Sequence, residues 1–265
     1  MQTIVSATWL HQHIEKSNLI ILDASMAFHG LAIPQARLFD LDHAFADTSS
    51  PFPNTVPKPE QFEMECQKLG IDQDSQIVVY DNKGIYTSPR VWWLFQIMGH
   101  KNIAVLDGGL PAWFENGFET VSEHFKPTKK GNYKSEYQKD MVITFDQIKA
   151  NIDQQKFVVV DARSAGRFNG TVPEPRKHLK SGSIPNSVNL PFEDVLDSGK
   201  FKSEDEIKKL FQSIVKDHQE LVFSCGSGIT ASIILLASVI GYKNSLKLYD
   251  GSWTEWAELN KLTTN

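Results

Sequence analysis

One cysteine in this chain stands in a setting suited to nucleophilic chemistry. The stretch Leu221-Val-Phe-Ser-Cys225-Gly226-Ser227-Gly228-Ile229-Thr230-Ala231 passes from an apolar segment of strand length into an apolar segment of helix length. Its two glycines let the backbone curl tightly and turn several N–H groups inward. The helix expected from Ala231 adds partial positive charge at the same point. Both effects favour an anion, so the loop is expected to stabilise a thiolate at Cys225. Gly226, Gly228, Ile229 and Thr230 then supply candidate N–H donors to an anionic sulfur. The plain alternative is a small buried apolar thiol at a strand end. Ser227 either hydrogen-bonds a substrate or relays a proton, or it caps the following helix. The chain has 2 cysteines. The other, Cys66, lies in Gln61–Leu69, a helical stretch with no such loop, and reads as core.

Three other chemistries use loops of this kind. A cysteine phosphatase signature, C-x5-R, needs an arginine where this chain has Ala231. Gly226-Ser-Gly228-Ile-Thr-Ala231 matches the dinucleotide pattern G-x-G-x-x-[GA], with Asp250 near the place of a ribose-binding acid. The match falls too close to the C-terminus to leave room for the rest of that sheet. A papain-like Cys–His pair has 8 histidines to draw on, but no spacing marks a partner.

The elements that must position Cys225 occur twice. Leu19-Ile-Ile-Leu-Asp-Ala-Ser resembles Val158-Val-Val-Asp-Ala-Arg-Ser, and Ile33-Pro-Gln-Ala resembles Ile184-Pro-Asn-Ser. Ile77-Val-Val-Tyr-Asp-Asn resembles Leu221-Val-Phe-Ser-Cys-Gly. The block from His100 to Trp113 resembles the block from Tyr242 to Trp256. The blocks keep one order and nearly one spacing, which means two similar domains rather than a solenoid. We expect a first domain over 1–123, a linker over 124–140 and a second, catalytic domain over 141–265. Strands are expected at Gln76–Tyr80, Ile103–Leu106, Phe157–Val160, Leu221–Ser224 and Leu246–Tyr249, and helices at Arg90–Met98 and Ala231–Ile240. The alternation predicts an α/β fold, each domain a mainly parallel sheet covered by helices on both faces. Ligands in such folds gather at the carboxyl ends of strands, where Cys225 lies. Its counterpart in the first half is Asp81, followed by Asn82-Lys-Gly without the Gly-Ser-Gly pattern, so one half carries the thiol.

Composition removes several function classes. A net charge of −5 and a pI near 5.9 argue against a broad grip on nucleic acid. No apolar run approaches the roughly 18 residues of a membrane helix. The opening Met1-Gln-Thr-Ile-Val-Ser has no secretory pattern, which points to the cytoplasm. Two cysteines exclude a disulfide scaffold and a four-cysteine zinc site.

The Asp161-Ala-Arg-Ser block, the Ile-Pro turns, the Asp107-Gly-Gly-x-x-x-Trp block and the single loop cysteine together resemble tandem-domain rhodaneses, over essentially the whole chain. Cys225-Gly-Ser-Gly-Ile-Thr-Ala, Asp161-Ala-Arg-Ser-Ala-Gly-Arg167 and Glu174-Pro-Arg176 resemble the 3-mercaptopyruvate sulfurtransferase branch. The thiosulfate-using branch usually has charged residues where this chain has Gly226 and Ser227. The resemblance implies an inactive first copy and sulfur transfer from a small-molecule donor through a Cys225 persulfide, releasing pyruvate. The acceptor would be a small thiol or a thioredoxin-like protein, and neither metal nor organic cofactor is required. Arg167 and Arg176 would clamp the donor carboxylate. Asp42 matches the acid of the family's proton relay, whereas Asn54 stands where the family has histidine. Arg163 is expected in a structural ion pair, Lys180 in solvent, and Arg90 in a structural role. Thiosulfate sulfurtransferase is the alternative with the same thiol. A rhodanese-fold binding module without turnover is the alternative from another class.

Overall fold

The computed structural model describes residues 2–216, 219–243 and 245–264. The chain forms two compact units. One comprises Met1–Asp47, Val56–Gln138 and Ser198–Phe201, and the other Thr48–Thr55, Lys139–Asp197 and Lys202–Asn265. Each unit thus takes in a short loop from the other half of the sequence.

In the first unit, β1 (Ile4–Val5) leads into α1 (Ala7–His13), whose first turn is capped by the Ser6 hydroxyl accepting the Trp9 N–H. There follow β2 (Leu19–Asp23), β3 (Arg37–Leu38), α2 (Pro59–Lys68), β4 (Gln76–Tyr80), α3 (Ser88–Ile97), β5 (Ile103–Leu106) and α4 (Gly109–Glu115). The strands lie in the order β1-β5-β4-β2-β3, all parallel. Side chains alternate across a strand. Leu19 and Ile21, Val78 and Tyr80, and Ala104 and Leu106 share one core with Leu10 of α1 and Trp113 of α4. The alternate residues Ile20, Leu22, Ile77, Val79, Ile103 and Val105 are buried as well. A sheet buried on both faces explains why these strands are continuous apolar runs.

The second unit repeats the plan. It runs β6 (Val142–Ile143), α5 (Phe145–Gln154), β7 (Phe157–Asp161), α6 (Ala165–Phe168), β8 (Val188–Asn189), β9 (Leu196–Asp197), then past β10 (Lys200–Phe201, counted with the first unit) to α7 (Glu204–Ile214), β11 (Glu220–Ser224), α8 (Ala231–Gly241), β12 (Leu248–Tyr249) and α9 (Ser252–Leu259). Its five-stranded sheet has the order β6-β12-β11-β7-β8, again parallel. Strand for strand this is the first sheet's order, so the duplication extends to topology. Capping boxes at Thr144–Gln147 and Ser203–Glu206 start α5 and α7. Among the described residues no helix is long and apolar enough to cross a membrane.

The last strand begins at Leu248, later than the expected Leu246. The segment read as a linker packs on the first unit as far as Gln138. Its Tyr133 is fully buried and donates its hydroxyl to the Met98 carbonyl.

Candidate active site

Cys225 is the first residue after β11, where the chain turns toward α8. It is 2% exposed, and its Sγ accepts the Gly228 N–H at 3.1 Å. Gly228 has φ +86°, a left-handed conformation that a side chain would oppose, so the chain can turn from the sulfur toward α8 at this position. The N–H groups of Ser227, Ile229 and Thr230 meet no acceptor among the described residues, so the loop holds donors in reserve. The start of the loop is fixed from α9. The Cys225 N–H donates to Ser252 Oγ at 3.2 Å, and the Cys225 carbonyl accepts the Trp253 N–H at 2.9 Å. The Gly226 carbonyl accepts the Thr254 N–H at 3.1 Å and the Thr254 hydroxyl at 2.6 Å.

Gly226 is not in the left-handed region, and its reason to be glycine is space rather than the expected backbone curl. A Cβ there would stand 2.8 Å from Arg167 Nη2, so only a bare backbone lets this guanidinium lie against the loop. Arg167 is held by Glu174, with Nη2 at 2.6 Å and Nε at 3.2 Å from the carboxylate. Glu174 also takes Arg163 Nη1 at 2.7 Å, and Arg163 pairs with Asp161 at 2.7 Å while lying over the Trp253 ring. Asp161, Arg163, Glu174 and Arg167 therefore form an alternating chain of charges from the end of β7 to the cysteine loop. Burial works against the Arg163 charge. Asp161 and Glu174 outweigh it and hold the guanidinium above its usual range.

Arg176 is half-buried, and its guanidinium pairs with no acid among the described residues. Ser227 does not cap α8. Thr230 occupies that position without a side-chain bond, and Ser227 Oγ accepts instead from Asn54 Nδ2 at 3.0 Å. Asp42 is exposed in the first unit, and its carboxylate has no hydrogen-bond partner among the described residues. Lys180 is exposed, and Cys66 is fully buried in α2. Burial pushes the Cys66 thiol well up, with Glu65 and Glu63 adding to the effect, so it stays protonated.

A model of the Rhodanese-like domain matches residues 6–116 and 144–259. The chain belongs to the rhodanese family. It is 38% identical to human 3-mercaptopyruvate sulfurtransferase over 88% of this chain and 80% of that protein. It is 36% identical to a mitochondrial thiosulfate/3-mercaptopyruvate sulfurtransferase of Arabidopsis thaliana, over 97% of this chain and 76% of that one. The crystal structure of SseA from Escherichia coli, described as a 3-mercaptopyruvate sulfotransferase, superposes with a TM-score of 0.84 at 31% identity, covering 96% of this chain and 99% of that one. This tandem rhodanese is a rhodanese-fold sulfurtransferase.

The first rhodanese unit shows what its own loop does without a cysteine. Asp81 follows β4 as Cys225 follows β11, and Leu110 N–H binds the Asp81 carbonyl as Trp253 N–H binds that of Cys225. The Asp81 carboxylate accepts N–H bonds from Lys83, Tyr86, Thr87 and Ser88, at 2.9 to 3.0 Å, and the Ser88 hydroxyl at 2.7 Å. The same turn thus gathers donors around an anion, here supplied by the chain itself.

Glu174 and Ser252 escaped the reading of the sequence as functional positions. Glu174 carried a signal: it is an acid between two arginines in one loop. Ser252 carried another, because it aligns with Gly109, and both adopt the left-handed conformation, at φ +52° and +51°. The hydroxyl at this position accepts the Cys225 N–H, a bond that its glycine counterpart cannot make.

Proposed function

We propose that this rhodanese is a 3-mercaptopyruvate sulfurtransferase that carries sulfur on Cys225. The observation that supports it is a cysteine loop with open N–H donors and no charged side chain of its own, beside the cation Arg167. Thiosulfate is a small dianion and would need positive charge close to its sulfur. Mercaptopyruvate carries its carboxylate away from the sulfur, where Arg167 and Arg176 can hold it through paired hydrogen bonds.

In this mechanism the Cys225 thiolate attacks the donor sulfur. A sulfur–sulfur bond forms and the carbon–sulfur bond breaks. The electron pair of the broken bond leaves as the enolate of pyruvate, which takes up a proton. The loop N–H groups stabilise the anionic sulfur of the persulfide, as an oxyanion hole stabilises oxygen. A second thiolate then attacks the outer sulfur and becomes the new persulfide, and Cys225 returns as a thiolate. Two half-reactions on one residue give ping-pong kinetics.

The test is a comparison of kcat/KM for mercaptopyruvate and thiosulfate with a common thiol acceptor, together with intact-mass analysis after donor addition. Preference for mercaptopyruvate and an adduct of about +32 Da on Cys225 are expected. Preference for thiosulfate would establish the second reading, which kinship with a thiosulfate sulfurtransferase of Cricetulus griseus at 35% identity favours. No adduct with either donor would leave a binding module.

A further inference from the structure

Asn54 lies in the short loop that belongs to the same compact unit as the cysteine loop. Its Nδ2 donates to the Ser227 carbonyl at 3.1 Å and to Ser227 Oγ at 3.0 Å. A backbone carbonyl can only accept. The first bond therefore decides which end of the amide faces Ser227, and with it the polarity of the second: Ser227 Oγ is the acceptor. A serine hydroxyl has one hydrogen, and it must then point away from Asn54. It meets no acceptor among the described residues. Asn54 holds this pose in a left-handed conformation, φ +58°, which asparagine tolerates better than most residues. Its amide stays neutral near pH 7 and cannot act as a general acid or base.

We propose that Asn54 is a positioning residue that makes Ser227 a fixed hydrogen-bond donor to a ketone or carboxylate oxygen of an α-keto thiol, with no proton relayed through the pair. The inference rests on the mercaptopyruvate reading and deepens it. The bond strengthens as the ketone oxygen becomes an enolate oxygen, so it acts on the transition state. The proton that converts enolate to pyruvate comes from water.

The experiment uses the full chain and mercaptopyruvate, with Asn54→Asp, Ser227→Ala and the double variant. A carboxylate at this position accepts from the Ser227 hydroxyl and turns its hydrogen inward. Asn54→Asp is expected to lower kcat/KM by roughly 10- to 100-fold at about pH 8, at or below the range for loss of one oxyanion donor. The ratio of variant to parent activity should recover in part as pH falls and the introduced carboxylate gains a proton, because its single O–H can then donate to Ser227 Oγ in place of one of the two amide hydrogens. In the Ser227→Ala background the same change should alter kcat/KM by less than about twofold, having no hydroxyl to direct. Should Asn54→Asp prove unstable in a melting experiment, Asn54→Gly suits the same backbone and replaces it in the cycle. Equal losses in both backgrounds, or no loss, would overturn the proposal, and so would a ratio flat with pH for the aspartate variant. Failure of the parent protein to turn over mercaptopyruvate would instead sink the proposed function.

Discussion

At the residue scale the two cysteines have different settings. Cys225 has the Gly228 N–H on its sulfur and unpaired N–H groups elsewhere in its loop, whereas burial pushes the Cys66 thiol up inside α2. Cys225→Ser should abolish persulfide formation. Cys66→Ser should leave the rate within about twofold while lowering stability by roughly 1–3 kcal/mol, because it buries an added hydroxyl. Turnover traces and melting curves on the two variants check this. The two arginines differ as well. Arg176 has no acid partner among the described residues, and Arg167 shares Glu174 with Arg163. Arg176→Ala should therefore cost about 1.5–3 kcal/mol in kcat/KM, the scale of a charge-assisted hydrogen bond, with an unchanged melting temperature. Arg167→Ala should reduce both. A melting temperature that responds equally to both substitutions would contradict the division of roles.

Elements explain why these residues meet. The turn after β11 takes its left-handed step at Gly228, Gly226 leaves room for Arg167, and α9 grips the first two residues of the turn through Ser252, Trp253 and Thr254. Glu174 is the joint between this loop and β7, since it binds Arg163 and Arg167 together. Removing one partner of a buried ionic network leaves the others without compensation. Glu174→Ala is expected to destabilise the protein by about 3 kcal/mol, measured by urea unfolding, and to raise KM as Arg167 loses its anchor. In the first unit Asp81→Ala strands the donors of Tyr86, Thr87 and Ser88. It should cost about 3 kcal/mol or more, and Asp81→Asn less, because an amide oxygen still accepts.

For the whole molecule, stability toward acid has an identifiable contributor. His100 is buried against Phe95 and Tyr133, and loss of water holds its imidazole below the usual range. Below about pH 6.5 the unfolded chain takes up a proton that the folded chain refuses. Stability therefore falls as pH drops through that value, and it levels off once folded His100 is protonated too. The urea midpoint should be lower at pH 5 than at pH 7, and His100→Gln should flatten part of that slope.

Much of this molecule could be read from its chain alone, and the reason is locality. Strands Gln76–Tyr80 and Ile103–Leu106 fall on their apolar runs because a strand buried on both faces needs nothing else to declare it. The place of Cys225 followed from neighbours in sequence, since strand, glycine turn and helix are contiguous. The duplication exposed Asp81 as its counterpart by the same logic. Other decisions belonged to the folded chain. Asn54 and Ser227 are 173 positions apart, and no spacing rule joins them. That Asn54 faces Ser227 with its nitrogen follows only from the carbonyl beside it. Glu174 and Ser252 acquired their tasks when loop and helix were brought against the cysteine turn. Charge pairing and hydrogen-bond polarity depend on distance and direction in space, and a sequence records neither.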